Sequence, residues 1–414
     1  MDKKTFEKKL TKFAELIVKK GANVQKDQDV MVYAGLDQPE FVTSVVEKCY
    51  EAGARKVTVE WSHQPIELAH INGRSLEVLS IVEEWEKAKL QHRVDTLPAM
   101  IYIESDDPDG LAGADQKKYS LASQARYKII KPYRDKMENK YQWCIAAVPG
   151  KKWAKKVFDD PDIDEDTAVE LLWEAILKTS RVTDDPIAEW ENHNADLRNR
   201  CRVLNEAHIR TLHYTSSNGT DLRVGLMPQS RFCGGEEKTV NTGVWFNPNI
   251  PSEEVFTSPM AGKAEGVVYS TMPLSYRGQL IENFHIVFKD GKAVEWKADK
   301  NEDLLGEMVG MDKGACMLGE CALIPKDSPI SEAGLLFYNT LFDENASCHL
   351  AMGDGYANTM EGFEDMSLEE CRKLGLNESM IHVDFMIGSD DLAIEGECED
   401  GSTIQIFKNG TWAF

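Results

Sequence analysis

Four short apolar segments restrict most strongly how the first part of this chain can fold. They read as β-strands and comprise Asp29–Gly35, Lys56–Trp61, Ala99–Glu104 and Tyr141–Val148. The stretches between them have helical periodicity, as in Glu40–Ala52, which places Phe41, Val45 and Cys49 on one side and is followed by Gly53. Strands that alternate with helices predict βαβ units and a mostly parallel sheet.

The first strand-to-helix turn carries no signature of a nucleotide site. Its residues, Gly35–Pro39, contain neither a Gly-x-Gly-x-x-Gly pattern nor a phosphate-binding lysine motif. A chain of 414 residues exceeds one ordinary core, so two domains are expected. A charged helical region, Asp159–Ala207, ends where helical periodicity gives way to the alternation typical of strands. We therefore predict a domain boundary near residue 205, with residues 1–205 as an α/β scaffold domain.

The second half has the pattern of antiparallel strands. Its alternating or β-prone segments are His208–Tyr214, Leu222–Leu226, Ala264–Ser270, Gln279–Lys289, Ala293–Ala298 and Thr403–Phe407. Turn residues separate them, including Asp290 and Gly291, a dipeptide typical of two-residue hairpins. The predicted fold class is thus α/β plus α+β. The N-terminal domain has a mostly parallel sheet with helices, and residues 206–414 form a C-terminal domain rich in antiparallel strands.

The charge of the chain argues against two classes of partner. It has 47 basic and 70 acidic residues, a formal net charge of −23, whereas nucleic acids and anionic membranes require a basic face. No apolar run approaches the ~20 residues that span a bilayer. The N-terminal segment reads as an amphipathic helix rather than a signal peptide. Nine cysteines without regular spacing predict free thiols in a reducing cytoplasm.

Two histidine-containing segments in the second half point to a bound cation. Leu341–Tyr356 places His349 in an acidic, turn-rich stretch, and His382 stands two residues before Asp384. In an extended strand, residues two apart project from the same face, so His382 and Asp384 can reach one ion. Imidazole and carboxylate together suit a borderline or hard divalent cation. The alternative is a hydrogen-bonded His–Asp pair on a strand, which is the commoner use of such a short pattern.

Two further acidic segments favour the cation site. Glu253 and Glu254 are adjacent within Asn247–Pro259, although such a pair taken alone is typical of solvated surface. Glu320 directly precedes the apolar run Cys321–Ile324. A carboxylate next to a core is unusual, because it requires a partner or a metal there.

These four segments, in this order, resemble the aminopeptidase T and aminopeptidase S family of thermophilic-type metallo-aminopeptidases. The resemblance rests on Pro-Ser-Glu-Glu-Val-Phe-Thr-Ser-Pro at residues 251–259, Gly-Glu at 319–320, Leu-Phe-Asp-Glu-Asn-Ala-Ser-Cys-His at 341–349 and His-Val-Asp at 382–384. It covers essentially the whole chain. The long segments are specific, whereas the Gly-Glu pair alone is not.

The resemblance implies two divalent metal ions per chain and a homodimer whose metal site faces an enclosed cavity. The ligands that it implies are Glu254, Glu320, His349, His382 and Asp384, with Glu344 as a further ligand or as a partner of one. Glu320 is our prediction for the carboxylate that bridges both ions. Tyr356 matches the family's tyrosine near the metals, either as a ligand or as a phenol that contacts the reacting centre. Zinc, cobalt, manganese and magnesium all suit oxygen-rich ligation with two imidazoles.

The activity implied by the resemblance is hydrolysis of the N-terminal peptide bond of short peptides with a free N-terminus. We predict Glu320 and Tyr356 as the catalytic residues. Either Glu253 or Glu320 can accept a proton from the attacking water, and Tyr356 can donate a hydrogen bond to the oxyanion. Two alternatives stay open at this point: a metal-dependent amidohydrolase acting on a non-peptide amide, and a metal-binding protein without turnover.

Overall fold

A computed structural model describes residues 2–414, which divide into two compact units. The first contains the chain up to His193 together with Glu236–Ser252, and the second contains Asn194–Gly235 and Glu253–Phe414. The predicted domain boundary near residue 205 stays a prediction. Within residues 2–414, no helix is both long enough and apolar enough to cross a membrane.

The first unit is built around a parallel sheet. Its strands are β1 (Asp29–Gly35), β2 (Lys56–Ser62), β3 (Ala99–Glu104) and β4 (Trp143–Ala147), paired in the order β2-β1-β3-β4. Its helices are α1 (Lys3–Leu16), α2 (Pro39–Glu51), α3 (Gln64–Gly73), α4 (Leu76–Ser80), α5 (Glu84–Thr96), α6 (Gln116–Met137), α7 (Lys151–Val157) and α8 (Glu165–Thr179). Helix α9 (Pro186–Glu206) begins in this unit and ends in the second.

Hydrophobic patterning explains the central strand of this sheet. In β1 every second residue is buried, namely Val30, Val32 and Ala34. Parallel partners on both sides satisfy the backbone of β1. The prediction of a mostly parallel sheet alternating with helices is confirmed for this part of the chain.

The second unit consists mainly of antiparallel strands. They are β5 (Ile209–Thr215), β6 (Asp221–Leu226), β7 (Cys233–Gly234), β10 (Val255–Thr257), β11 (Pro259–Tyr269), β12 (Leu274–Tyr276), β13 (Gln279–Ile281), β14 (His285–Lys289), β15 (Lys292–Lys297), β16 (Leu318–Leu323), β17 (His349–Gly353), β18 (His382–Met386), β19 (Ala393–Cys398), β20 (Thr403–Lys408) and β21 (Thr411–Trp412). The pair β8 (Glu237–Lys238) and β9 (Trp245–Phe246) belongs to the first unit. The remaining helices are α10 (Glu302–Val309), α11 (Thr340–Asp343) and α12 (Leu368–Lys373).

Two sheets of the second unit share one apolar core. One has the order β18-β17-β16-β10-β7, and the other has the order β15-β14-β11-β6-β5-β19-β20-β21. Leu350, Met352 and Phe385 of the first sheet lie in the same buried cluster as Leu212 and Ile394 of the second. Each sheet therefore buries one face in this core, as in a β-sandwich. The other face of the five-stranded sheet does not take part in this core.

A β-bulge in β16 decides which side chains reach that other face. Leu318 lies opposite Met352, but Glu320 lies opposite Ala351, so β16 has one extra residue, Gly319, at this point. Leu318 therefore points to the core with Met352, whereas Glu320 points to the opposite face. Without the bulge, the alternation of the strand would place Leu318 and Glu320 on the same side.

We expect Gly319→Ala to disrupt this bulge. A Cβ atom at residue 319 would lie 2.1 Å from the carbonyl oxygen of Asp354 and 2.4 Å from that of Gly353. Because both obstacles are backbone atoms, we expect a loss of about 2–4 kcal/mol in the free energy of unfolding. Urea unfolding of the full chain measures it. The matched control is Gly73→Ala, whose new Cβ meets nothing within 4 Å; equal stability of the two variants would contradict the steric argument.

One predicted strand is wrong. Gln279–Lys289 was expected to be a single strand, but it forms β13 and β14 separately. Asn283 between them has a φ of 50°, in the left-handed region, which interrupts an extended path. The two pieces then pair with different partners, β13 with β12, and β14 with β11 and β15.

Candidate metal centre

The free face of the five-stranded sheet brings together the predicted ligands. Glu320, Ala351 and Asp384 lie opposite one another on the adjacent strands β16, β17 and β18. His349 and His382 project from the same face, two residues from Ala351 and from Asp384 respectively. Asp384 and His382 thus use the two-residue spacing that the sequence predicted.

Ala351 leaves space at the centre of this arrangement. It stands between Glu320 and Asp384 across the sheet, and its side chain is only a methyl group. A larger residue there would fill the volume between the two carboxylates. The small side chain of Ala351 therefore allows the longer acidic side chains to converge.

Two groups of ligand atoms converge on this face, and Glu320 belongs to both. Glu254, Glu320 and His349 form one group, and Glu320, His382 and Asp384 form the other. In each group the ligand atoms lie within 4.8 Å of one another. Glu254 enters from the residue before β10, with Oε2 3.7 Å from Nε2 of His349. Five residues from distant parts of the sequence therefore form one cluster.

Backbone carbonyls orient both imidazole rings. Nδ1 of His349 lies 2.7 Å from the carbonyl oxygen of Glu344, and Nδ1 of His382 lies 2.8 Å from that of Asp354. A carbonyl oxygen can only accept a hydrogen bond, so Nδ1 carries the proton in each ring. Nε2 then faces the carboxylates, where a neutral imidazole offers its lone pair to a metal. These backbone carbonyl groups thus fix the orientation of both imidazole rings.

Burial makes this cluster of charges costly without a cation. The side chains of His349, Glu320 and Asp384 are exposed by only 1%, 4% and 8%. Oδ1 of Asp384 is buried and accepts no hydrogen bond from the described residues, although Nε2 of His382 lies 3.2 Å away. Several carboxylates at such depth require compensation by positive charge.

The pKa shifts in the cluster have the same cause. Burial raises the pKa of Glu344 well above its usual value, and the negative charges of Asp384 and Glu254 raise it further. Burial alone would lower the pKa of His382, but the carboxylates of Asp384 and Glu320 raise it well above the usual value. The cluster therefore has an excess of negative charge, which a divalent cation would offset.

Glu344 is held beside the other predicted ligands by Asn345, a residue that the sequence analysis did not single out. Nδ2 of Asn345 donates to Oε1 of Glu344 and to the carbonyl oxygen of Leu341, at 3.3 and 3.1 Å. Oδ1 of Asn345 accepts the backbone N–H of Glu253 at 2.8 Å. Asn345 is fully buried and so ties the Glu253–Glu254 segment to the Glu344 segment. Asn345 lies inside the acidic segment Leu341–Tyr356, and this position could have identified it from the sequence.

Tyr356 borders the same cluster. Its hydroxyl oxygen lies 3.1 Å from Nε2 of His382, and its ring packs edge-on against Phe256 with centroids 5.9 Å apart. Burial of the hydroxyl, and then the charges of Glu320 and Asp384, raise the pKa of Tyr356 well above its usual value. The phenol therefore keeps its proton and can donate it in a hydrogen bond. The residue as a whole is 42% exposed, so one side of the ring borders open space.

The neighbouring cysteines have no nucleophilic arrangement. Sγ of Cys348 donates to the carbonyl oxygen of Ile324 at 3.2 Å, and burial raises the pKa of this thiol to about 12. Burial also raises the pKa of Cys321 to about 12. Both thiols lie in the apolar core, as predicted.

The donor set of this face fits divalent metal ions. It combines carboxylate oxygens with two imidazoles whose tautomers are fixed by hydrogen bonds, and it includes a buried oxygen without a hydrogen-bond donor among the described residues. Such mixed oxygen and nitrogen ligation is typical of catalytic zinc, cobalt or manganese sites.

Comparison with known proteins shows similarities that cover nearly the whole chain. A family profile described as thermophilic metalloprotease (M29) matches residues 6–412. Aminopeptidase AmpS of Bacillus subtilis (strain 168) is 44% identical over 412 residues, which cover 99% of this chain and 100% of the relative. Aminopeptidase T of Thermus aquaticus is 38% identical over 409 residues, which cover 98% and 99%. The solved structure of wild-type AmpT from Thermus thermophilus matches with a TM-score of 0.89 and 36% identity, over 99% of this chain and 100% of that one.

Proposed function

Because the chain belongs to the thermophilic metalloprotease (M29) family and is a metal-dependent aminopeptidase, we propose that its metal centre holds two divalent ions. Their ligands would be Glu254, Glu320, His349, His382 and Asp384, with Glu344 as a further ligand or as a partner of one. The observation that carries this proposal is that Glu320 belongs to both groups of converging ligand atoms. A carboxylate has two oxygens, so one Glu320 side chain can serve two ions.

The metal ions would supply an activated water and polarise the scissile carbonyl. The protein's own groups supply the proton transfers and the orientation. Glu320 or Glu253 accepts the proton of the attacking water, and the Tyr356 phenol donates a hydrogen bond to the developing oxyanion. One metal ion, or a nearby carboxylate, would capture the free α-amine of a peptide, which favours substrates with a free N-terminus.

The proposal also includes the identity of the ions, the substrates, the assembly, the catalytic domain and the cellular location. We propose zinc, cobalt, manganese or magnesium as the ions, short peptides as substrates, and a homodimer as the assembly. The catalytic centre would lie in a C-terminal domain, residues 206–414, with residues 1–205 as scaffold. A cytoplasmic location is supported by the nine cysteines, all of which are free thiols in the part of the chain described. Nucleic acids and membranes are not expected partners, given the net charge of −23.

Hydrolysis of matched free and N-acetylated dipeptides tests the proposal. We expect metal-stripped protein to be inactive, and added zinc, cobalt or manganese to restore cleavage of the free dipeptides, at least about 100-fold faster than that of the acetylated ones. The reason is that acetylation removes the free amine that a metal ion or a nearby carboxylate would capture. Equal cleavage of blocked and free substrates would contradict amine recognition and favour an amidohydrolase. Metal titration of the stripped protein by calorimetry gives the number of ions independently of turnover, and a stoichiometry of one would contradict the paired site.

A further inference from the structure

A small cavity opens directly beside two of the proposed ligands. It has a volume of about 80 Å³, and its wall includes Glu344 and Asp384. A larger cavity in the same unit, of about 350 Å³, is lined by neither of these two residues. In a peptide, the side chain of the first residue is attached to the carbon atom next to the scissile carbonyl. The pocket for this side chain must therefore begin at the ligands, as the smaller cavity does.

Half of the residues that line the smaller cavity are apolar. Its apolar side chains are those of Met272, Pro273, Leu274, Leu280, Leu336, Phe385 and Met386. Leu274 and Phe385 belong to the buried core and form the rigid base. Met272, Leu280 and Leu336 are only half-buried, so their side chains keep surface that a ligand can cover.

The short hairpin β12–β13 positions Leu280. Leu280 pairs with Ser275 across this hairpin, and both residues line the cavity. The hairpin is anchored by Leu274 and Ile281, which lie opposite each other and are buried in the core. Leu280 therefore projects toward the cavity from a fixed backbone.

Among the residues that the structure describes, the cavity has acidic but no basic side chains in its lining. No Lys, Arg or His is among the described residues that line it, whereas Asp343, Glu344 and Asp384 are. The carboxylate of Asp343 accepts the backbone N–H groups of Phe337 and Asn339 at 2.7 and 3.1 Å, which fixes it in place. An acidic substrate side chain would therefore find no Lys, Arg or His among these described residues with which to form an ion pair, and its burial in this cavity would be costly.

We infer that this cavity receives the side chain of the substrate's N-terminal residue, and that Leu280, with Met272 and Leu336, selects uncharged apolar side chains of moderate size. The inference rests on the proposed function, because it places the scissile bond at the metal centre. The hairpin β12–β13 is then a specificity element of the enzyme. Small apolar residues bind without filling the pocket, and acidic residues are rejected.

The test compares leucyl, phenylalanyl, alanyl and glutamyl p-nitroanilides with metal-loaded enzyme. The wild type is expected to have the highest kcat/KM for leucine and to cleave the glutamyl substrate at least about 100-fold more slowly than the leucyl one. Leu280→Trp fills the cavity, so we expect its kcat/KM for leucine to fall by about 30-fold while that for alanine changes less than about threefold. Leu280→Ala enlarges the cavity and is expected to raise the phenylalanyl-to-leucyl ratio of kcat/KM. The matched control is Leu335→Trp, because Leu335 lines only the larger cavity.

The outcomes separate this inference from the function on which it rests. Unchanged leucine-to-alanine ratios in both Leu280 variants, or the same change of ratio in Leu335→Trp, would overturn the pocket assignment while leaving the aminopeptidase intact. An equal loss with all substrates at unchanged metal content in Leu280→Trp would also overturn it. In contrast, wild-type cleavage of acetyl-leucyl p-nitroanilide as fast as the free compound contradicts the proposed amine recognition. The side-chain preference can still be determined from that series.

Discussion

Replacing Glu320 by glutamine is expected to lower kcat/KM for a free dipeptide by about 10³-fold, equivalent to about 4 kcal/mol of transition-state stabilisation. Glutamine has nearly the same shape but no charge, so the fold of the sheet should be preserved. The proposed bridging carboxylate would be lost from both groups of ligands at once. Metal content measured by plasma emission spectroscopy should fall in parallel with turnover. Unchanged metal content and unchanged turnover would exclude the role of Glu320.

The same series decides which glutamate is the general base. Glu253→Gln should retain the bound metal but lose turnover if Glu253 accepts the proton of water, and it should retain both if Glu320 does. Glu295→Gln is the matched control, because Glu295 is an exposed residue of β15. Any loss of activity in this control would show that the assay responds to charge in general.

Removal of the metal is expected to destabilise the protein as well as to inactivate it. A ligand that binds only the folded state at 100 times its Kd contributes about 2.7 kcal/mol, which for a domain of this size corresponds to a decrease in Tm of about 5–10 °C on its removal. Repulsion among Glu254, Glu320, Glu344 and Asp384 would act in the same direction, because these carboxylates lose the cation between them.

Differential scanning calorimetry with and without a chelator measures this effect. Re-addition of zinc, cobalt or manganese should restore the original Tm, which separates metal loss from irreversible damage. The Asp384→Asn variant provides the comparison, since it removes one buried charge and one ligand together. A chelated protein with an unchanged Tm would mean that the ions contribute little to the folded state.

The features that depend only on residues close together in the chain were predictable from the sequence. His382 and Asp384 share a face because a strand alternates with a period of two, and β18 is a strand. The hairpin at Asp290 and Gly291 formed as predicted, with both residues at positive φ. These features depend on neighbours within a few residues, and local chemistry therefore determines them.

The remaining features depend on contacts between distant segments. The bulge at Gly319 appears only when β16 is paired with β17, because it is a mismatch of two strands. The carbonyl groups that orient the imidazoles belong to Glu344, in a short 3₁₀-helix, and to Asp354, in the loop after β17. The conformation of these segments is not evident from residue type. The cavity beside Leu280 is likewise formed by segments that meet only in the folded unit.

Ligand placement along the chain also determines when the metal centre can form. Glu254, Glu320, His349 and Asp384 lie on or beside β10, β16, β17 and β18, four neighbours in the sheet that are separated by long stretches of sequence. Strand β10 is the first of the four along the chain, and β18 is the last. The complete set of proposed ligands can therefore come together only after β18 has been synthesised and the sheet has paired. We therefore expect the proposed metal centre to load after the sheet has paired, so that metal binding does not nucleate folding.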